Sequence, residues 1–174
     1  MATFIHITDE RINRRILRGG VRANTIATRG WPEIAAPRCG VFCVPVAPNF
    51  QATFQWLREL KRAGYRSACG IQFRIDDAEA VYVGHYDQPP QAMTAAEAVA
   101  FFLQAEDPRG LEIIVPRRIL AREITAIRSI PQAIGWRFYP AAKGREPLWP
   151  PAGSIKASQL RRRIEELNES PWKR

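Results

Sequence analysis

The first twenty residues, MATFIHITDERINRRILRGG, constrain this chain more than any other stretch, because they specify a strand that turns directly into a helix. Alternation over Thr3–Thr8 sets Ile5 and Ile7 on one face and Phe4, His6 and Thr8 on the other. Asp9 stands where an N-cap belongs, Ile12, Ile16 and Leu17 form an apolar stripe, and Gly19-Gly20 supplies a left-handed stop. A histidine fixed on such a strand, just before a tight turn, can read the hydroxyls of a ligand.

The rest of the chain repeats this economy of short elements. A strand is expected over 40–46, GVFCVPV, with Pro45 closing it. A helix over Asn49–Arg62 follows, its stripe formed by Phe50, Phe54, Leu57 and Leu60 and its last turn by Lys61-Arg62 before Gly64. Ala68–Ile75 and Ala80–Tyr86, joined by the acidic turn Asp76–Glu79, read as a hairpin. Thr94 and Glu97 form a capping box that opens a helix to about Gln104, with Val99, Phe102 and Leu103 facing the core.

Strands at Leu111–Val115, Thr125–Ile130 and Gly135–Tyr139 complete the set, with a short turn or helix over Ile119–Ile124. Residues 21–38 read as an irregular loop interrupted by Gly30, Pro32 and Pro37, with Trp31 packing it down. Strands bracketed by short helices, without regular alternation, predict an α+β fold: small split mixed or antiparallel sheets with short flanking helices. Domain limits follow from composition. Residues 1–140 form the folded unit, 140–153 a Pro/Gly-rich linker, and 154–174 a basic helix with Leu160, Ile164 and Leu167 as its stripe and Arg161–Arg163 outside.

Lys and Arg number 26 against 17 Asp and Glu, a formal charge of +9 that favours an anionic partner: nucleic acid, an acidic protein or a phosphorylated ligand. Three cysteines, Cys39, Cys43 and Cys69, have no framework or CxxC spacing, so a reducing compartment is expected and a zinc site is not. No signal peptide or stretch of about 20 apolar residues is evident. A cytoplasmic protein that does not enter membranes is the expectation.

Glu112 opens an otherwise apolar strand and faces opposite to Leu111, Ile113 and Val115. Its residue-level readings are a solvent-facing edge, a partner for Arg109 or Arg117, or a carboxylate at a cleft mouth. His85, in GHYD, reads as a turn residue bonded to Asp87 or as a second imidazole facing the same cleft. Cys43 and Cys69 read as core. Arg11, Arg14, Arg15 and Arg18 recur at helical spacing; they are a solvated face or a cradle for phosphates. Trp136-Arg137-Phe138-Tyr139 and Trp172-Lys173-Arg174 offer aromatics beside cations, which pack or stack on bases.

Taken in order, FIHIT with its helix ending in ILRGGV, then GVFCVP leading to NFQATFQWL, then LEIIVPRRI, resemble the ADP-ribosyltransferase-like fold. The resemblance is to its histidine–aromatic–glutamate branch and to DNA-targeting toxins of the DarT kind, over roughly residues 3–130. It implies NAD as the cofactor, with His6 on a ribose hydroxyl, Thr8 supporting nicotinamide, and Phe42 or Phe54 walling the nicotinamide pocket. Glu112 would hold the nicotinamide ribose and stabilise the charge that develops at its anomeric carbon. Arg15 and its neighbours would meet pyrophosphate or a nucleic-acid backbone, and His85 would be a secondary contact.

The chain departs from the family pattern where phenylalanine replaces tyrosine and where Gly110 stands two residues before Glu112. The acceptor implied is DNA, RNA or protein, and an antitoxin or immunity protein is a partner such a toxin would need. Two other classes compete: a non-catalytic basic module that binds nucleic acid or protein, and an RNA 2′-phosphotransferase-like enzyme that relies on arginines.

Overall fold

The computed structural model describes residues 1–26, 37, 39–86 and 88–132. The expected strand at Gly135–Tyr139, the linker, the C-terminal helix with Arg161–Arg163 and Trp172–Arg174, and most of the 21–38 loop with Trp31 lie outside the described residues.

Among the described residues, eight strands and four short α-helices form a mixed α/β unit whose strand pairings are antiparallel. The strands are β1 (Ala2–Asp9), β2 (Asn24–Thr25), β3 (Cys39–Pro45), β4 (Ala68–Ile75), β5 (Ala80–His85), β6 (Gln91–Thr94), β7 (Leu111–Val115) and β8 (Ile124–Ser129). The helices are α1 (Asn13–Gly19), α2 (Phe50–Thr53), α3 (Leu57–Arg62) and α4 (Ala95–Gln104). The sheet runs β6-β5-β7-β3-β1-β4-β8, with β2 on the start of β3.

β1 is the hinge of this arrangement. It pairs with β4 along its whole length, from Ala2 opposite Ile75 to Asp9 opposite Ala68, but with β3 only at Phe4–Pro45 and Ile5–Val44. Past Ile5 the two strands part, so the sheet is split between a β1-β4-β8 half and a β3-β7-β5-β6 half.

Ala68–Ile75 and Ala80–His85 are strands as expected, but they do not pair with each other. Both edges of β4 are taken, by β1 and β8, and β5 lies between β6 and β7 in the other half. Four strand spacings separate β4 from β5, about 19 Å on a flat sheet. The link Asp76–Glu79 is folded into a turn by Glu79 N–H donating to the Asp76 carbonyl at 3.2 Å. So short a link reaches only if the sheet curls and brings its two halves together at that end.

The core has two parts. Phe4, Cys43, Ile71, Phe73, Val81, Ile113 and Val115 pack with Ile16 of α1 and Ala95 and Ala98 of α4. Phe4 and Phe73, both fully buried, stack with centroids 5.9 Å apart. Ile5, Ile7 and Val44 pack with Phe54 and Leu57 and with Phe102 of α4.

Asp9 caps a short 3₁₀ turn, Glu10–Ile12, that precedes α1. Its carboxylate accepts from the Arg11 backbone N–H and from the Arg11 guanidinium, which holds its pKa down at about 2. Because the first turn is 3₁₀, the expected stripe rotates out of register. Ile16 is buried, whereas Ile12 and Leu17 are exposed. The Thr94–Glu97 capping box forms, but Leu103 is exposed on α4, and Ala95, Ala98 and Phe102 carry its buried face.

The expected helix 49–62 is broken at Phe54–Trp56 into α2 and α3. Thr53 folds its hydroxyl back to the carbonyls of Ala47 and Asn49, both at 3.2 Å, and Gln55 and Trp56 turn toward the chain at Pro108–Leu111. No helix among the described residues is long and apolar enough to cross a membrane.

Candidate functional site

At the split, where β1 and β3 part, the His6 imidazole takes over from the backbone ladder. Its Nδ1 donates to the Phe42 carbonyl at 2.8 Å. A carbonyl can only accept, so Nδ1 carries the proton. Burial lowers the His6 pKa, against the weaker opposing pull of that hydrogen bond, so the ring is neutral near pH 7. A neutral ring protonated at Nδ1 has a free lone pair on Nε2, an acceptor suited to a hydroxyl. The side chain remains partly exposed.

Glu112 is the second residue of β7, directly opposite Gly84 of β5, and is partly exposed. Extending the β3–β7 register by one pair puts it beside Val44, on the row that also holds Ile5 of β1. The backbones of β1 and β7 are two strand spacings apart there, about 10 Å. Phe42 pairs with Ile114 and therefore shares a face with Glu112; it is partly exposed. Strand alternation assigns His6 to the other face, with Phe4 and Thr8. His6 borders the split, whereas Glu112 stands one residue row along on β7, across β3 from the split and on the opposite face of the sheet.

The remaining expected site residues separate into two groups. Thr8 is 3% exposed, with its hydroxyl bonded to Tyr65, and Phe54 is 8% exposed in the core beneath Ile5 and Val44. Both are buried in this structure. His85 is partly exposed at the end of β5, opposite Leu111, and its Nδ1 lies 3.4 Å from the neighbouring Tyr86 carbonyl. Its expected partner Asp87 lies outside the described residues.

Arg109 gives its guanidinium to Asp107, and Arg117 is shared between Glu79 and Glu123. Arg14, Arg15, Arg18 and Arg22 are exposed and meet no carboxylate among the described residues, while Arg11 folds back on Asp9. Cys43 is fully buried, which pushes its thiol far up. Cys69 donates to the Asn13 side-chain carbonyl at 2.8 Å, and Cys39 is exposed.

Sequence reading missed the residues that hold the start of β7. Gln55 and Trp56, from the break between α2 and α3, bond to the backbone of Pro108–Leu111, and Tyr86 packs against Trp56 at 5.4 Å. Gln55 lies beside the stripe of Phe50, Phe54, Leu57 and Leu60 rather than in it, so periodicity gave no signal for it. Comparison with family models, curated proteins and solved structures returns no match.

Proposed function

We propose that this chain is an NAD-dependent transferase of the ADP-ribosyltransferase-like type, acting on a nucleic-acid or protein acceptor. The observation that carries the reading is the His6 ring at the split, fixed by Nδ1 donating to the Phe42 carbonyl at 2.8 Å, which leaves Nε2 as the acceptor nitrogen. The split sheet, the Glu112 carboxylate two strands from β1 and the aromatic Phe42 that shares the Glu112 face support it.

The residues present fit the dinucleotide in kind. His6 would accept from a ribose hydroxyl, Phe42 would pack against the nicotinamide ring, and Glu112 would face the ribose that bears it. Bound NAD would supply a ribose–nicotinamide bond that breaks with its electron pair going to the nicotinamide nitrogen. A fixed carboxylate then lowers the energy of the positive charge left at the anomeric carbon. The acceptor's nitrogen or oxygen forms the new bond there and loses its proton to solvent or a nearby base. Thr8 and Phe54, being buried, are left to hold β1 and the core.

Incubation with NAD should release nicotinamide. Glu112→Gln should abolish release with the fold retained, and His6→Leu should weaken NAD binding. Neither nicotinamide release nor NAD binding by the wild type would end this reading.

The four exposed arginines on and after α1, which meet no carboxylate among the described residues, favour a second one, a basic module that binds nucleic acid without turnover. Salt-sensitive binding to an oligonucleotide with no NAD affinity would select it. Loss of activity on arginine substitution, with Glu112→Gln silent, would instead favour phosphotransferase chemistry.

A further inference from the structure

We propose that Gln55 is a positioning residue for Glu112, acting through the backbone that leads into β7. The inference rests on the reading of Glu112 given above. Gln55 is 1% exposed and uses both ends of its amide. Its Oε1 accepts from Gly110 N–H at 2.6 Å and its Nε2 donates to the Pro108 carbonyl at 2.9 Å.

A side-chain amide presents one acceptor and one donor side by side, so it docks on the chain as a neighbouring peptide group would. Its neighbours extend the hold. Trp56 Nε1–H donates to the Leu111 carbonyl at 3.1 Å, and Tyr86 N–H donates to the Gly110 carbonyl at 2.7 Å. Every residue from Pro108 to Leu111, except the surface Arg109, is therefore anchored immediately before Glu112.

Gly110 needs that anchorage. Its φ of 85° is a backbone state in which glycine has no side-chain restraint, and a loose turn there would let the carboxylate wander. A carboxylate that must meet a developing charge loses much of its effect when displaced by about 1 Å. The break between α2 and α3 has its use here, because an unbroken helix would not turn both Gln55 and Trp56 toward the same stretch of chain.

The test uses two substitutions in the full chain. Gln55→Leu keeps volume but deletes both bonds; kcat for nicotinamide release should fall about tenfold or more while KM for NAD shifts less than about threefold. Gln55→Glu can reproduce both bonds only while its buried carboxyl is neutral, with the hydroxyl donating to Pro108 and the carbonyl oxygen accepting from Gly110. Its turnover should approach the wild type near about pH 6 and fall as pH rises, a profile the parent lacks.

The carboxyl titration of Glu112, followed by carbon-13 NMR, should shift in Gln55→Leu. Turnover within about twofold of wild type in a folded Gln55→Leu overturns the inference, as does an unchanged Glu112 titration. If Gln55→Leu does not fold, the pH profile of Gln55→Glu decides, and a flat one overturns the proposal. If the wild type releases no nicotinamide, the transferase reading fails, whereas the Glu112 titration still decides for or against the clamp.

Discussion

The double glycine that ends α1 hides two unlike positions, and replacing each with alanine should separate them. Gly20 has φ 77° and ψ −177°, a region that L residues enter only at a cost of about 1–3 kcal/mol. A methyl group there would also press into the Ile119 carbonyl, well inside contact distance, with Ala121 N behind it. That carbonyl is half of a two-bond bridge: Val21 N–H donates to Ile119 O and Ile119 N–H donates to Val21 O, both at 2.9 Å. Val21 and Ile119 are both buried, so parting them strands polar groups at about 1 kcal/mol each or more.

Gly20→Ala should therefore lose about 3–5 kcal/mol and lower Tm by roughly 10 °C. A methyl group at Gly19 would meet open space beyond its own helix, and the residue lies in the last turn of α1 without a positive φ. Gly19→Ala should be neutral or gain up to about 1 kcal/mol. Urea unfolding followed by circular dichroism measures both. A Gly20→Ala protein within about 1 kcal/mol of the parent, or less damaged than Gly19→Ala, would refute the geometry assigned to this turn.

His6, Arg117 and the cysteines each carry a shorter prediction. The His6 pKa is lowered in the folded protein, so the unfolded chain binds the extra proton first. His6 thus adds stability above the ordinary imidazole pKa of about 6.5, lost as pH falls through it; an NMR titration should show its ring uncharged at pH values where a free histidine is protonated, and His6→Gln should flatten the stability slope. Arg117 donates to Glu79 and Glu123 through four bonds of 2.7–2.8 Å. With the guanidinium side chain 35% exposed, Arg117→Met should cost a screened value of about 2 kcal/mol, read by the same urea unfolding, and no loss would argue against that network. In the native protein a thiol reagent should modify Cys39 quickly and leave Cys43 and Cys69 until unfolding; three equal rates would contradict their burial.

Local signals were legible wherever one residue type had a physical reason to stand at one place. Asp9 caps a turn because its carboxylate reaches the N–H two residues on, and Thr94 with Glu97 closes a capping box. Gly20 stops α1 because it can take positive φ. The Leu111–Val115 strand is found with the bounds its apolar run predicts, and Glu112 stands on it, partly exposed, as alternation requires. Elements governed by a single period misled where the backbone changed state. The 3₁₀ turn before α1 exposed Ile12 and Leu17, and the break at Phe54–Trp56 divided a helix whose stripe looked continuous.

The sequence by itself determined most of the strands, the helix opened by Thr94, the caps and stops beside them, and the two side chains, His6 and Glu112, on which the functional proposal stands; β2, β6 and the break between α2 and α3 it did not. Only the tertiary structure decided that β4 and β5 part company, that β1 holds β3 by two residue pairs, and that Gln55 and Trp56 grip the approach to Glu112. Caps and alternation depend on neighbours a few residues away, which any reader of the chain can see. Edge choice in a sheet and the partner of a buried amide depend on distant residues, 74 positions for Val41 and Val115 and 55 for Gln55 and Gly110, and those are settled only when the whole core closes.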